Sequence, residues 1–311
     1  MKVGIIGAGS IAGTMAGTIR EMDCAQNYAV AARDYGRAAE FAQTYGFEKA
    51  YGSYEELVED AGVELVYIAT PHSHHYEHIK LCLNHGKHVL CEKSFTVNES
   101  QAREVLALAR EKKLLLTEAI WTRYMPMRKT LDSVLSSGVI GRPYMLTANL
   151  GYIISGKERI MRPELAGGAL LDVGIYPLNF ASMVFGDEVD SITGTAVMTE
   201  TGVDAQNSIT ITYKDGKMAA LCSSAMGLSD RRGIIYGDNG FIEVENINNC
   251  EGIRVYDRSR NMIASYDTPK QISGYEYEVE ACLRAIKEGA LECPEMPHEE
   301  TLRMMGWMDE L

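Results

Sequence analysis

The sequence has no CxxC pair anywhere, although seven cysteines (Cys24, Cys82, Cys91, Cys222, Cys250, Cys282 and Cys293) are scattered along its 311 residues. An odd, unpatterned set disfavours a zinc ribbon or a disulfide framework and points to free thiols in a reducing compartment. Basic residues are also in short supply, with 30 Lys and Arg against 43 Asp and Glu, a formal net charge of −13. That deficit argues against nucleic acid or a membrane surface as partner, because both are polyanions. No apolar run approaches the ~18 residues of a membrane span, and no basic segment at the N-terminus leads into an apolar stretch and a cleavage site. Internal repeats and low-complexity linkers are absent as well. The expectation is a cytoplasmic, soluble chain long enough for two domains, each burying its own core.

What is present is organised around the first thirteen residues, MKVGIIGAGSIAG, an apolar strand running straight into Gly7, Gly9 and Ala12. In such a GxGxxA pattern Gly7 permits the tight turn and Gly9 lets backbone approach a pyrophosphate. Small Ala12 lets the following helix, Ser10 to Met22, pack close to the strand. The free N–H groups of that helix start, at Ser10 and Ile11, face an anion. The stretch predicts a dinucleotide site.

The end of the second strand, Tyr28 to Ala32, selects the cofactor. A carboxylate there accepts from the ribose 2'-hydroxyl of NAD, whereas arginine suits the 2'-phosphate of NADP. Here Arg33 follows the strand and Arg37 lies one helical turn on, in a helix running from Gly36 to Tyr45. This reads as NADP, with NAD kept open by Asp34, which a small shift of the strand end would bring to the ribose.

Ala50 and Tyr51 form a short third strand, and Ser53 with Glu56 signals a capped helix start. Glu64 to Thr70 reads as a buried fourth strand stopping at Pro71, where the winding of a parallel sheet reverses and ligands sit. The histidines that follow, His72, His74, His75 and His78, lack a carboxylate or cysteine at ligand spacing, so no metal is expected. His88 to Cys91 is a fifth strand delivering Glu92, Lys93 and Ser94 to the same crevice. A lysine at the end of a buried strand is costly unless it has a task. Helix Asn98 to Lys113 and strand Leu114 to Glu118 complete a doubly wound parallel Rossmann sheet, giving a dinucleotide-binding domain over 1–119.

Residues 120–311 read as an α+β substrate and dimerisation domain. Trp121 to Ser137 holds a helix opening near Pro126. Eight strands follow between Pro143 and Tyr266, with turn pairs Asp215-Gly216 and Asn239-Gly240 marking antiparallel hairpins. Leu170 to Phe185 interrupts them as a helix, and Tyr275 to Glu288 is an amphipathic helix expected to pack back across the domain junction.

Within GGALLDVGIYP, residues 167–177, Asp172 and Tyr176 stand four apart, on one face if the turn is helical. Pro177 is comfortable only within a first helical turn, so Asp172 reads as the capping residue. Oxidising an alcohol sends hydride to a nicotinamide and leaves a hydroxyl proton that needs an acceptor. A tyrosine at its reference pKa of ~10 is a poor base at neutral pH, and a nearby ammonium favours its phenolate. Tyr176 is therefore the expected general acid/base, Lys93 its partner and Asp172 its orienter. Tyr152 and Arg159 are candidate contacts to substrate hydroxyls.

GAGSIA at the N-terminus, ATP at 69–71 with His75, GKHVLCEK at 86–93 and GGALLDVGIYP together resemble the Gfo/Idh/MocA oxidoreductase family over nearly the whole chain. VAARD at 30–34, AYGSYEEL at 50–57 and EAIWTRYMP at 118–126 are similar to its branch of dimeric dihydrodiol dehydrogenases and NADP-dependent xylose dehydrogenases. The resemblance implies a Rossmann domain followed by an open, mostly antiparallel sheet through which subunits pair as homodimers or larger homo-oligomers. It implies NADP on Gly7 to Ala12 and Arg33, with Thr70, Pro71, His72, His75, Glu92, Trp121 and Arg123 around the cofactor. It also implies an acid/base tyrosine at 176 assisted by Lys93. Ser94 departs from the proline usual after that lysine, and the chain ends at Leu311, earlier than the branch pattern leads one to expect.

The reading is an NADP-dependent oxidoreductase for a sugar or vicinal diol. Two alternatives stand beside it: a non-catalytic NADP-sensing regulator, and a sugar epimerase or hydrolase that retains NAD(H).

Overall fold

A computed structural model describes residues 1–311 and divides them into two compact units, Met1–Tyr124 with Gln271–Met305 and Met125–Lys270 with Gly306–Leu311. The division is thus not a single cut near residue 119, because a C-terminal segment belongs with the first unit.

In the first unit β1 (Lys2–Ile6), α1 (Ser10–Arg20), β2 (Gln26–Ala31), α2 (Tyr35–Tyr45), β3 (Lys49–Tyr51), α3 (Tyr54–Glu59), β4 (Leu65–Ile68), α4 (His72–Asn84), β5 (His88–Glu92), α5 (Glu99–Lys112) and β6 (Leu116–Ala119) alternate. The six strands are parallel in the order β3-β2-β1-β4-β5-β6. Helices cover both faces of such a sheet, so its strands are continuous apolar runs, and all of Leu65–Ile68 is buried. Winding reverses between β1 and β4, which opens the crevice at their carboxyl ends. Local signals fix the helix starts: Ser53 and Glu56 form the expected capping box, and Asn98 accepts from the Gln101 amide.

In the second unit α6 (Pro126–Ser136) begins on its proline, and β7 (Pro143–Gly151) leads to the short α7 (Glu158–Met161). The run expected as one helix from Leu170 to Phe185 is instead a π turn, Leu170–Gly174, followed by α8 (Ile175–Phe185). Pro177 is the third residue of α8, just after the π turn, where regular i→i−4 bonding is already interrupted. Then follow β8 (Val189–Met198), β9 (Asp204–Tyr213), β10 (Met218–Ser224), β11 (Gly233–Gly237), β12 (Gly240–Glu245), β13 (Gly252–Asp257) and β14 (Met262–Asp267). They form an eight-stranded sheet in the order β14-β13-β12-β11-β7-β10-β9-β8. Only β7 and β10 pair parallel; every other neighbour is antiparallel. Gly216, at φ +88°, makes the predicted turn between β9 and β10. One face of this sheet carries the core, with Leu146, Leu221 and Ile209 buried. Against the expectation of no span-length run, Pro163–Phe185 is long and apolar enough by composition to cross a bilayer, yet its 18-residue apolar window is 78% buried inside the protein, where α8 packs on β7 and β10.

The returning segment of the first unit contains α9 (Glu276–Glu288), the expected helix, and the start of α10 (His298–Glu310), which the sequence pattern did not reveal. α9 lays Val279, Cys282 and Ala285 in the core against β5. Nε2 of His298 bonds the Leu116 carbonyl at 2.8 Å, fastening α10 to β6.

Candidate active site

The glycine turn is built as a cradle. Gly7 has φ +105°, and a Cβ there would meet the Ala69 carbonyl at 2.8 Å, so only glycine lets β1 turn this close to the end of β4. A Cβ on Gly9 would meet nothing within 4 Å, which means the turn faces open space. Gly9 caps α1 without a side-chain bond, leaving the first-turn amides from Ser10, Ile11 and Ala12 directed at that space. These features fit a dinucleotide pyrophosphate.

At the end of β2, Asp34 Oδ1 accepts from the Arg37 amide at 2.9 Å as N-cap of α2. The carboxylate that kept NAD open is therefore engaged in capping. Arg37 Nη2 reaches back to the Ala8 carbonyl at 3.4 Å, holding its guanidinium beside the glycine turn. Arg33 is exposed next to it, so two cations stand at the end of β2. Tyr54 and His78 stand nearby, edge to face at 4.7 Å, and Thr70 Oγ1 bonds His78 Nδ1 at 3.0 Å. Burial is the main cause pushing the His78 imidazole down to about 4.

His75 is wholly buried, with Nδ1 at 2.9 Å from the Ser94 carbonyl and Nε2 at 2.8 Å from that of Thr70. Burial pushes it down to about 4 against the pull of those carbonyls. Both ring nitrogens face backbone carbonyls, one of which the single N–H of the neutral ring serves, so His75 braces the loops beneath the crevice. Pro71 caps α4 and His72, its first residue, is buried. Lys93 follows β5 at the rim, half-buried, and its peptide to Ser94 is cis. Glu92 is buried and accepts from the Tyr67 hydroxyl. Burial, reinforced by the Glu92 carboxylate, raises the Tyr67 phenol well above its usual range. Glu278 on α9, also wholly buried and near Glu92, is raised likewise, with burial the leading cause. The Trp121 ring stacks on Tyr275 at 4.3 Å, and Arg123 pairs with Glu300, which also holds Arg303. Trp121 and Arg123 are therefore bound into the wall of the first unit.

In the second unit Asp172 does not cap the helix: Gly174 occupies that position without a side-chain bond. The π turn instead buries Asp172, and Arg159 Nη1 donates to its Oδ1 at 2.5 Å. Arg159, expected to meet substrate, pairs with Asp172 while its side chain stays 40% exposed. Tyr176 lies one turn on, 7% exposed, near the start of α8. The Tyr152 hydroxyl accepts from Asn248 Nδ2 at 3.0 Å.

Residues 1–120 match the family model described as oxidoreductase family, NAD-binding Rossmann fold, and residues 129–243 match that family's C-terminal domain. The chain belongs to the Gfo/Idh/MocA oxidoreductase family. Trans-1,2-dihydrobenzene-1,2-diol dehydrogenase of Homo sapiens is 35% identical over 320 residues, covering 100% of this chain and 96% of the relative. The enzyme of that name from Xenopus tropicalis is 33% identical, covering 99% and 96%. A 3-ketoreductase from Actinomadura kijaniata, solved with NADP and TDP-benzene, superposes at a TM-score of 0.92 with 24% identity, covering 100% of this chain and 96% of that one. An aldose-aldose oxidoreductase from Caulobacter crescentus, solved with glycerol, gives 0.90 with 18% identity and the same coverage. The likeness to these two structures is one of fold. This Gfo/Idh/MocA member is accordingly an NAD(P)-dependent oxidoreductase acting on CH–OH groups.

Sequence reasoning did not single out Glu118, Glu278, Glu300 or Tyr67 as site residues. For Glu118 a signal existed, a lone acid inside the apolar strand LLLTEAI. Glu300 carries none, because its partner Arg123 lies 177 residues away.

Proposed function

We propose that this family member is an NADP-dependent dehydrogenase or reductase for the CH–OH group of a sugar or other vicinal diol, with Tyr176 as general acid/base. The observation that carries the cofactor preference is the division of labour after β2: Asp34 caps α2 while Arg33 and Arg37 stand beside the open glycine turn. A 2'-phosphate is a dianion that two guanidinium groups recognise well, and the ribose hydroxyl of NAD would find no idle carboxylate there. The substrate class is supported by the similarity to the diol dehydrogenases along the full chain.

Bound in the crevice, the nicotinamide would exchange a hydride with the substrate carbon. The chain handles the proton. In alcohol oxidation the hydroxyl proton passes to the Tyr176 phenolate as hydride leaves the carbon, and in reduction the phenol returns it. Lys93 favours the phenolate through its positive charge. Asp172, fixed by Arg159, orients the turn that carries Tyr176.

Pairing of two copies through the second sheet belongs to the same proposal. Thr195, Gln206, Ser208 and Cys222 on its outward side line a groove of about 350 Å³ to which no charged side chain contributes. Such a neutral face suits burial against its own copy. The seven free thiols suit the reducing cytoplasm as its location.

A thermal melt with NADP, NADPH, NAD and NADH at equal concentration tests the cofactor assignment. Ligands that bind the native state raise the transition according to their affinity. The phosphorylated pair should shift it more, and Arg33→Ala should remove the difference. An equal shift with NAD would overturn the preference.

A further inference from the structure

We propose that Glu118 is a positioning residue, a wholly buried carboxyl on β6 that holds the Lys93 side chain from behind. The argument rests on the reading of Lys93 as the partner of Tyr176.

The placement comes from strand register. Cys91 of β5 pairs with Glu118 of β6, and Glu92 with Ala119. Paired residues of parallel strands share a face and successive residues alternate. Glu92 therefore points to the face of Tyr67, with which it bonds. Cys91 belongs to the face of Glu118, and the Lys93 charge, just past the end of β5, acts on that carboxyl.

Glu118 is fully buried, and neither carboxylate oxygen has a hydrogen-bond partner. Buried polar atoms are satisfied in the great majority of cases, so an orphaned carboxyl in a strand calls for an explanation. Its surroundings supply one. From the end of β5 it is faced by Cys91, the Lys93 ammonium and the Phe95 amide; from beyond β6 by Arg123; from α10 by the Thr301 hydroxyl. The hydroxyl and the amide approach without reaching hydrogen-bond geometry. Arg123 is already shared with Glu300, which also holds Arg303. Glu118 thus sits where its charge acts on the lysine at the rim.

Burial raises the carboxyl to about 7, opposed by the Thr301 hydroxyl, the Arg123 charge, the Phe95 amide and the Lys93 charge. Near neutrality both forms are populated. The ionised form draws the Lys93 ammonium back and fixes it, and the neutral form releases it. The set of the lysine then follows the ionisation of a residue that never touches substrate.

The test follows the side-chain nitrogen resonance of Lys93 by NMR in the whole protein with 15N-labelled lysine, assigned by its loss in Lys93→Arg. The native protein should show a step with its midpoint near pH 7, absent in Glu118→Gln and retained in Glu118→Asp. A role in folding alone would put no titration on Lys93. No step between about pH 6 and 8 in the native protein, or an unchanged step in Glu118→Gln, overturns the proposal. If Glu118→Gln does not fold, the native titration and Glu118→Asp decide. Turnover is read separately: full activity in Lys93→Met would remove the catalytic reading of Lys93 without bearing on the step seen in the native protein.

Discussion

His75 stands between the Thr70 carbonyl, at 2.8 Å, and the Ser94 carbonyl, at 2.9 Å, so that its ring links the end of β4 to the residue after Lys93, donating its single neutral N–H to one of the two. Where the family pattern places proline after the lysine, this chain uses a buried serine whose carbonyl is held by an imidazole. His75→Ala removes the one N–H donor that lies between the two carbonyls and opens a cavity. It should cost about 2–4 kcal/mol, measured by urea denaturation, and should lower kcat while NADP affinity changes little.

The same histidine makes stability depend on pH. Its pKa falls from 6.5 free to about 4 folded, so its stabilisation is complete above about 6.5 and is lost as pH falls toward 4, about 3 kcal/mol in all. Glu118 works in the opposite sense. Raised from 4.5 to about 7, it contributes stability that is present below 4.5 and lost as pH rises to 7, again about 3 kcal/mol. The two slopes oppose each other between pH 4.5 and 6.5. Replacing one should expose the other: Glu118→Gln should gain stability with rising pH across this range relative to the native chain. Equal pH profiles for the two proteins would contradict the assignment.

Glu300 pairs with both Arg123 and Arg303, and its side chain is 10% exposed against 9% for Arg123. Glu300→Ala takes its ion-pair partner from a buried guanidinium, at a cost of about 3–5 kcal/mol. Chemical denaturation measures it. Arg303→Ala, which removes a more exposed partner, should cost less.

The outward face of the second sheet supplies a prediction about assembly. Ala220 is exposed on β10, in register with Thr147 and Thr210. Ala220→Arg should convert a dimer to a monomer in light scattering without lowering the melting temperature of the monomer unit. A native protein that is already monomeric would remove the pairing proposal.

Much of this was legible in the chain because short-range chemistry determines it. The GxGxxA turn, the Ser53–Glu56 box and the Asp215-Gly216 hairpin each depend on residues a few positions apart. Asp172 was misread as a cap because Leu170–Gly174 winds as a π turn, which local spacing does not announce, and because its partner Arg159 lies in another element. The Glu118 and Glu300 clusters join β6 to a helix near the C-terminus, and no local pattern encodes a partner that distant.

The most direct test of the central claim is NADPH formation at saturating NADP with trans-1,2-dihydrobenzene-1,2-diol and D-xylose, compared between the native enzyme and Tyr176→Phe. The account predicts turnover of at least one of the two by the native protein and a loss of about 100-fold or more in kcat on removing the hydroxyl, with NADP binding intact. Equal turnover by a folded Tyr176→Phe, or no NADPH from either substrate, would contradict it.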